Sequence, residues 1–381
     1  MCALGVLLCA LASTPNAPSD AESAPDNLNS LLEPIRQKYD LPALAGAIVT
    51  SKGLVAVGAV GVRKYGTKTP VTANDQFHLG SDTKAITATM LATLVEEGKL
   101  SWSTTLEQVF PDLAAKMNPA YRKVTLEQML AHRAGFTDES WPKGKDNGDM
   151  YQLPGSPREQ RAAYVAMVLA ESPVNEPGSR FLYSNRSYAV AGAIAERVSN
   201  DSWEGLMQKR VFGPLGMETC GFGAMGWPRT SDATKIDQPW QHTLLLFGHR
   251  AIEPGPRADN APVIGPAGTV HCSVVDWGKF VTAHLRGEQG QSGILKPETF
   301  KHLHTAPYGD YGFGWLVTDR PWAGGRALTH AGSNTMNYAV VWMAPVKDFA
   351  VLVMTNHAGG ETFNACDAAA SALILHFTQR N

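Results

Sequence analysis

The sequence contains few cysteines and none in the spacing of a metal site. Five cysteines occur among 381 residues. Cys2 and Cys9 lie near the start, and Cys220, Cys272 and Cys366 are far apart, without a CxxC pair. A disulfide framework or a zinc knuckle is therefore not indicated, and at most one bridge can form with one thiol left over. The ordinary role of such a free thiol is that of a small buried apolar side chain.

The sequence also lacks a charge excess and long apolar runs. It has 33 Lys and Arg residues against 35 Asp and Glu residues, and no basic block. We therefore expect neither nucleic acid nor an anionic membrane surface as a partner. No stretch approaches the roughly 18 to 20 consecutive apolar residues of a membrane helix, so we expect no stable membrane span. The hydrophobic fraction of 44% instead indicates a globular protein with a large core.

The N-terminus has the pattern of a secretory signal. An apolar run from Ala3 to Ala12 ends in the small-x-small site Ala10-Leu11-Ala12, although no Lys or Arg precedes the run. A segment rich in Pro, Ser and Ala follows. We predict a signal peptide over residues 1–12, a tether over residues 13–27, and a periplasmic or secreted mature protein.

Hydrophobic patterns place strands at both ends of the chain and helices between them. Helical spacing occurs over residues 28–39, 82–97 and 362–377, and through most of residues 106–217. The runs with strand character are ALAGAIVT and GLVAVGAV, joined by a hairpin signal at Ser51-Lys52-Gly53, and later YGFGWLV, RALTHAG, NYAVVWMAP and FAVLVMTN. Residues 137–160 and 227–268 are polar or rich in Pro and Gly, and we predict loops there that border a cleft.

This order of elements predicts an α+β fold. We expect an antiparallel sheet flanked by N- and C-terminal helices, with a mainly helical lobe inserted between the two halves of the sheet. The predicted catalytic domain spans residues 28–378. Its α/β lobe takes in residues 28–100 and 265–378, and its helical lobe residues 101–264.

Ser81 and Lys84 form an S-x-x-K sequence in FHLGSDTKAI, at the start of the predicted helix. A serine at a helix start is most often an N-cap. Residues three apart share one helix face, so Lys84 can also reach the Ser81 hydroxyl, and the helix N-terminus favours developing negative charge. The pair is therefore either a cap beside a surface charge or a nucleophile with its base, and the second requires a neutral lysine.

Tyr183 and Asn185 offer partners for such a nucleophile in FLYSNRSYAV. The phenol can pass protons to a leaving group, and the carboxamide can hold a substrate amide. Alone, the pattern fits equally a core tyrosine beside a loop asparagine.

The segment LTHAGSN carries His330, Gly332 and Ser333 on a predicted strand. Gly332 would let a substrate backbone lie close to the strand. The N–H groups of Ser333 and Ser81 could together form an oxyanion hole. A lone strand histidine is more often structural.

Together and in this order, these segments resemble the serine β-lactamase and penicillin-binding-protein superfamily, most closely its class C-like branch. That branch includes β-lactamase-type esterases, D-Ala-D-Ala carboxypeptidases and D-aminopeptidases. The likeness extends roughly from Leu28 to His376 and includes VTLEQMLAHRAGF, VFGPLGME, PAGTVHCSVVDWGKF and YGFGW. The resemblance implies the family fold and catalysis without a metal or cofactor. By position it implies these roles: Ser81 as the acylated nucleophile, Lys84 as its base partner, Tyr183 and Asn185 as the second motif, His330 to Gly332 as the third, and the N–H groups of Ser81 and Ser333 as the oxyanion hole.

One departure from the family pattern bears on the substrate. Class C β-lactamases carry lysine at the first position of the third motif, where it supports recognition of the antibiotic's carboxylate, whereas this chain has His330. The following SNTMN also differs from the Gly-rich sequence usual there. We therefore expect a carboxylesterase that acts through an acyl-enzyme on a small ester, amide or D-amino-acid substrate. A D-stereospecific peptidase, a D-Ala-D-Ala carboxypeptidase and a class C-type β-lactamase are the alternatives.

Three other classes fit the sequence less well. The chain has 11 histidines, among them His302 and His304 in HLH, so a zinc hydrolase is an alternative. The H-E-x-x-H sequence that such an enzyme would use to bind zinc is not present. No G-x-S-x-G elbow of an α/β-hydrolase occurs either. A non-catalytic penicillin-binding-like module should lack one of the motif residues, and all are present.

Overall fold

The computed structural model describes residues 24–228, 235–245 and 248–380. The predicted signal peptide and most of the predicted tether lie outside the described residues. Across the described ranges, no helix is both long and apolar enough to cross a membrane.

Strands lie toward both ends of the chain, and a run of helices stands between β4 and β5. The strands are β1 (Asp26–Asn27), β2 (Ala43–Thr50), β3 (Gly53–Gly61), β4 (Phe77–His78), β5 (Gly221–Phe222), β6 (Gln241–Leu245), β7 (Gly248–Ile252), β8 (Val270–Cys272), β9 (Leu316–Arg320), β10 (Gly325–Ser333), β11 (Tyr338–Ala344), β12 (Phe349–Thr355) and β13 (His357–Ala358). The α-helices are α1 (Asn29–Lys38), α2 (Thr83–Glu96), α3 (Leu106–Val109), α4 (Leu126–Leu130), α5 (Asn147–Tyr151), α6 (Pro157–Ala170), α7 (Asn185–Ser199), α8 (Trp203–Met207), α9 (Gly213–Leu215), α10 (Gly265–Gly268), α11 (Val274–Glu288), α12 (Pro297–Leu303) and α13 (Thr362–Thr378).

Seven strands form the main sheet, in the order β1-β3-β2-β12-β11-β10-β9. Its neighbours are antiparallel except β1, which runs parallel to β3, with Asp26 and Asn27 opposite Ala56 and Val57. The sheet predicted as antiparallel is therefore mixed, because the last two residues of the predicted tether lie along the outer edge of β3. The α+β fold class is confirmed.

The predicted N-terminal hairpin is present as β2 and β3, and three of the four predicted C-terminal runs are the strands β10, β11 and β12. The fourth run, YGFGWLV, was predicted as a strand from Tyr311, but strand structure begins only at Leu316. The reason is Gly314, which has a φ of 85° and packs against the backbone of α2 at Ala85. This packing holds the segment as a loop beside the start of α2.

Helices α1 and α13 cover one face of the sheet, where Leu32 and Leu373 are fully buried. Helix α2 is buried from Thr83 to Leu94. The helical spacing of apolar residues over residues 82–97 accounts for only one buried face of α2, because the face with the threonines is buried as well. These hydroxyls are satisfied inside the protein: Thr87 donates to the carbonyl of Pro266 at 2.8 Å, and Thr89 donates to that of Ala85 at 2.9 Å.

Two segments predicted as loops contain regular structure. Residues 137–160 include α5 and the start of α6, and residues 227–268 include the β6–β7 hairpin and α10. Local capping explains the two helices in the first segment: the side chains of Asp146 and Ser156 accept the backbone N–H groups of Asp149 and Glu159. The predicted irregular structure is therefore wrong for these parts.

One disulfide joins Cys220 to Cys272 in β8, and Cys366 in α13 is a buried free thiol. This agrees with the prediction of at most one bridge and one thiol left over. The bridge links the segment before β5 to β8. Strand β8 pairs with β4, which ends three residues before Ser81.

Candidate active site

Ser81 lies in a 3-10 turn, Gly80–Asp82, that leads directly into α2. Asp82 occupies the N-cap position of α2 and its side chain makes no capping hydrogen bond, so Ser81 is not a cap. Instead, the Lys84 Nζ lies 3.0 Å from the Ser81 Oγ. The structure therefore brings together the two residues of the S-x-x-K sequence as a nucleophile and its neighbouring amine.

Lys84 is fully buried and has two further partners. Its Nζ donates to the Asn185 Oδ1 and to the carbonyl of Ala267, both at 2.8 Å. Both of these oxygens only accept, so a neutral amine would give them its two N–H groups and direct its lone pair at the Ser81 hydroxyl. Burial lowers the pKa of Lys84 well below 10.5, and the charge of Asp82 opposes this shift. The surroundings thus favour the neutral amine that a general base requires.

Tyr183 lies in the extended segment before α7, with the Lys84 Nζ 4.7 Å from the centre of its ring. Burial raises the pKa of the Tyr183 phenol, and hydrogen bonding with Ser81 opposes that rise. Both a neutral amine and a phenolate can act as the base for a serine. The lowered pKa keeps Lys84 in its neutral, proton-accepting form, and the raised pKa keeps Tyr183 protonated, so the two shifts favour Lys84 as the base and Tyr183 as the group that has a proton to give.

Asn185 is engaged on both sides of its amide. The Oδ1 accepts from Lys84, and the Nδ2 donates to the Ser140 Oγ at 2.9 Å. The sequence predicted that this amide holds a substrate. In the structure its contacts position Lys84, and the substrate-binding role stays a prediction.

Strand β10 brings His330, Gly332 and Ser333 to the turn that carries Ser81. Its partner β9 pairs with it only as far as Thr329, so the next residues have an open edge on that side. A Cβ added to Gly332 would lie 2.0 Å from the carbonyl oxygen of Leu79 and 2.4 Å from the Ser81 nitrogen. We predicted a close approach of substrate at Gly332. The structure shows a close approach of Gly332 to the nucleophile's own turn, which only glycine permits, and the approach of a substrate stays a prediction.

The two backbone segments predicted to form the oxyanion hole are in direct contact. Gly80 has a φ of 50°, and a Cβ there would lie 2.3 Å from the Ser333 nitrogen. The N–H groups of Ser81 and Ser333 therefore belong to adjoining backbone segments, and their role as donors to an oxyanion stays a prediction.

His330 contacts two residues that the sequence reasoning missed. The Tyr311 hydroxyl lies 3.0 Å from its Nε2, and the Asp82 Oδ1 lies 3.5 Å from its Nδ1. The signals were present in the sequence: Asp82 directly follows Ser81, and Tyr311 begins the YGFGW segment.

His132 is a third residue that was missed. Its ring lies 4.4 Å from that of Tyr183 and 4.9 Å from that of Tyr311, centre to centre. Its Nδ1 accepts the backbone N–H of Ser184 at 3.1 Å. Burial lowers the pKa of His132 well below 6.5, so the ring is neutral packing that supports Tyr183.

A cavity of about 350 Å³ adjoins Tyr183 and His330. Aromatic and aliphatic side chains dominate its wall. The lining residues are Phe181, Tyr183, Tyr311, Leu316, Thr329, His330, Ala331, Tyr338, Val340, Trp342, Phe363 and Asp367. The lining contains no Lys or Arg among the residues that the structure describes, and Asp367 contributes its one carboxylate.

The histidines of the HLH sequence lie away from this site. His304 contacts His284 at 2.7 Å and Glu288 at 2.6 Å in a buried hydrogen-bonded group, and His302 packs against Trp102. In the ranges described, no group of three His, Cys, Asp or Glu side chains is arranged to hold a metal ion.

A serine at a helix start, a buried lysine one turn away and a tyrosine beside both define, on this fold, a serine hydrolase that works by acyl transfer. The chain belongs to the beta-lactamase family, and its residues 28–376 match the sequence pattern of that family.

Two curated relatives and one solved structure are similar over most of the chain. Penicillin-binding protein 4 of Amycolatopsis lactamdurans is 25% identical, with 84% of this chain and 82% of the relative covered. A beta-lactamase of Escherichia coli K12 is also 25% identical, with 82% of this chain and 76% of the relative covered. The octameric penicillin-binding protein homologue from Pyrococcus abyssi superposes with a TM-score of 0.72 at 26% identity, with 92% of this chain and 77% of the other covered.

Proposed function

We propose that this protein is a carboxylesterase that hydrolyses small, neutral esters with an apolar group. The cavity beside Tyr183 and His330 is the main support for this proposal. Its aromatic wall offers an apolar group a large contact area, and no Lys or Arg among its described lining residues could bind a carboxylate. His330 in place of a lysine points in the same direction.

The proposed reaction has two halves. Ser81 Oγ attacks the ester carbonyl carbon while its proton passes to Lys84, and the N–H groups of Ser81 and Ser333 hold the developing oxyanion. The ester C–O bond breaks as Tyr183 protonates the departing alcohol, and Lys84 returns its proton to the tyrosine. Water then attacks the acyl-enzyme and gives a proton to Lys84. The acid leaves, and Ser81 regains its proton.

A D-stereospecific peptidase or D-Ala-D-Ala carboxypeptidase is the second candidate, and a β-lactamase the third. Relatives named as a penicillin-binding protein and a beta-lactamase support them. A D-Ala-D-Ala carboxypeptidase and a β-lactamase act on substrates with a carboxylate, and Asp367 in the cavity and Asp82 beside His330 disfavour such a group.

The deciding experiment compares kcat/KM for p-nitrophenyl butyrate, nitrocefin and a peptide that ends in D-Ala-D-Ala. We expect the ester to exceed the other two, and Ser81→Ala to abolish turnover and labelling by a fluorophosphonate probe. A nitrocefin value well above the ester value contradicts the esterase proposal. Labelling that persists in Ser81→Ala contradicts the choice of nucleophile, and an absence of both labelling and turnover favours the non-catalytic module.

We also propose a periplasmic or secreted location, supported by the signal-like residues 1–12. Fractionation of cells that express the full chain tests it, since a protein found in the cytoplasm with its N-terminus uncleaved contradicts this location.

A further inference from the structure

Asp82 places a buried carboxylate next to the nucleophile, and no described residue donates a hydrogen bond to this carboxylate. Its side chain is 2% exposed, and within the part of the chain that the structure describes neither oxygen has a hydrogen-bond partner. The imidazole of His330 faces it, with its Nδ1 3.5 Å from the Asp82 Oδ1 and likewise without a hydrogen-bond partner among the described residues. A buried charge is stable only when it is paired or neutralised. The two unpartnered groups therefore face each other.

The groups around Asp82 limit what can pair with it. The basic groups that act on it are His330 on β10 and Lys84 on α2. Three phenols also feel its charge, those of Tyr183, Tyr311 and Tyr338, and burial raises the pKa of each, so they remain neutral. Burial raises the pKa of Asp82 as well, and the proximity of His330 opposes that rise.

The balance of charge assigns the buried proton to one of two places. One carboxylate compensates one positive charge, either on Lys84 or on His330. Lys84 must be neutral to accept the proton of Ser81. His330, with its free Nδ1 toward Asp82 and its Nε2 held by Tyr311, is the partner that leaves Lys84 neutral.

We propose that Asp82 is the counter-ion of His330, that the two share one buried proton at zero net charge, and that position 330 therefore offers no net positive charge to a substrate carboxylate. This deepens the proposed function, on which it rests, by naming Asp82 as the residue that makes the site selective against anionic substrates. Asp82 acts through His330 and Lys84 and is a positioning residue.

A specific consequence concerns the lysine that class C β-lactamases carry at position 330. His330→Lys alone should recover little recognition of carboxylates, because Asp82 would pair with the new ammonium group. Only the combination with Asp82→Asn leaves an uncompensated positive charge there. The two substitutions should therefore be strongly non-additive.

The test measures one ratio in four proteins. The substrates are 3-acetoxybenzoate and its methyl ester, which share the acetyl group and differ in the charge of the leaving group. The ratio of their kcat/KM values, anionic over neutral, cancels changes in the base or nucleophile that affect both alike. The proteins are the wild type, Asp82→Asn, His330→Lys and the double variant.

We expect the ratio to be well below one in the wild type and to change less than about threefold in His330→Lys. In the double variant we expect a rise of about 10- to 100-fold, the range of one uncompensated charge in a partly buried site. A rise in His330→Lys alone that equals the rise in the double variant overturns the proposal. So does a ratio that stays unchanged in the double variant.

Binding of boronic acids gives the same comparison without turnover. Phenylboronic acid and 3-carboxyphenylboronic acid both add to a reactive serine, and the ratio of their Kd values should follow the same order in the four proteins. If the wild type hydrolyses neither ester, the proposed function fails while the boronic acid ratio still tests Asp82. Asp82→Ser replaces Asp82→Asn if the latter loses its cooperative thermal unfolding.

Discussion

Gly332→Ala should disable the active site with a small loss of stability. The added Cβ would lie 2.0 Å from the Leu79 carbonyl oxygen and 2.4 Å from the Ser81 nitrogen, whereas ordinary contacts begin at 3.4 Å. Relief requires a relative shift of about 1.4 Å between β10 and the turn that carries Ser81. A misplacement of about 1 Å can cost roughly 10²-fold in rate, and overpacking typically costs roughly 1–3 kcal/mol of stability. We therefore expect at least about a 10²-fold fall in kcat/KM for p-nitrophenyl butyrate.

The assay for Gly332→Ala follows ester turnover, the rate of fluorophosphonate labelling and the midpoint of thermal unfolding. Gly293→Ala is the matched control, because a Cβ at Gly293 meets nothing within 4 Å and the backbone there needs no positive φ. The control should keep wild-type activity. If Gly332→Ala retains activity within about threefold, the close approach of β10 to the serine turn does not set the geometry of the site.

Three further predictions follow from the site and the disulfide. Lys84→Ala and Tyr183→Phe should each lower kcat by about 10²- to 10⁴-fold with unfolding midpoints near that of the wild type. The double variant should lose far less activity than the product of the two single losses. A loss in the double variant equal to that product would contradict a shared proton path. Since only neutral Lys84 accepts a proton, kcat/KM should rise with pH through the lowered pKa of Lys84 and level off well below pH 10.5. Asp82→Asn should move this rise to lower pH, because the charge of Asp82 raises the pKa of Lys84. A shift of the rise to higher pH would refute the assignment of Lys84 as the base. Replacing Cys220 and Cys272 together by serine should lower the free energy of unfolding by about 2–4 kcal/mol in denaturant titrations, and an unchanged value would mean that the bridge does not constrain the unfolded chain.

Local patterns made much of the fold predictable. The hairpin of β2 and β3 is visible in two β-rich runs around a turn, and α13 was predicted to within one residue. The S-x-x-K spacing predicted the contact between Ser81 and Lys84 because a single helix turn determines it. Features that one segment determines were therefore accessible from the sequence.

Features that depend on distant segments were not accessible. Asp82 and His330 are far apart in the sequence, and only the approach of β10 to the serine turn brings them together. The parallel pairing of β1 depends on the position of β3, and the burial of both faces of α2 depends on helices that pack from the other side. One-dimensional patterns carry no signal for such contacts.

The two-residue strand β1 has a consequence for how molecules of this protein meet one another. It covers the outer edge of β3 at Ala56 and Val57, next to the 37% exposed Val55, and its Asp26 forms an ion pair with Arg380. An open strand edge with exposed apolar groups is a template for intermolecular pairing and aggregation. The strand β1 and Arg380 thus act together as a cover over part of that edge, and removing β1 should make the protein prone to aggregate before it loses its active site.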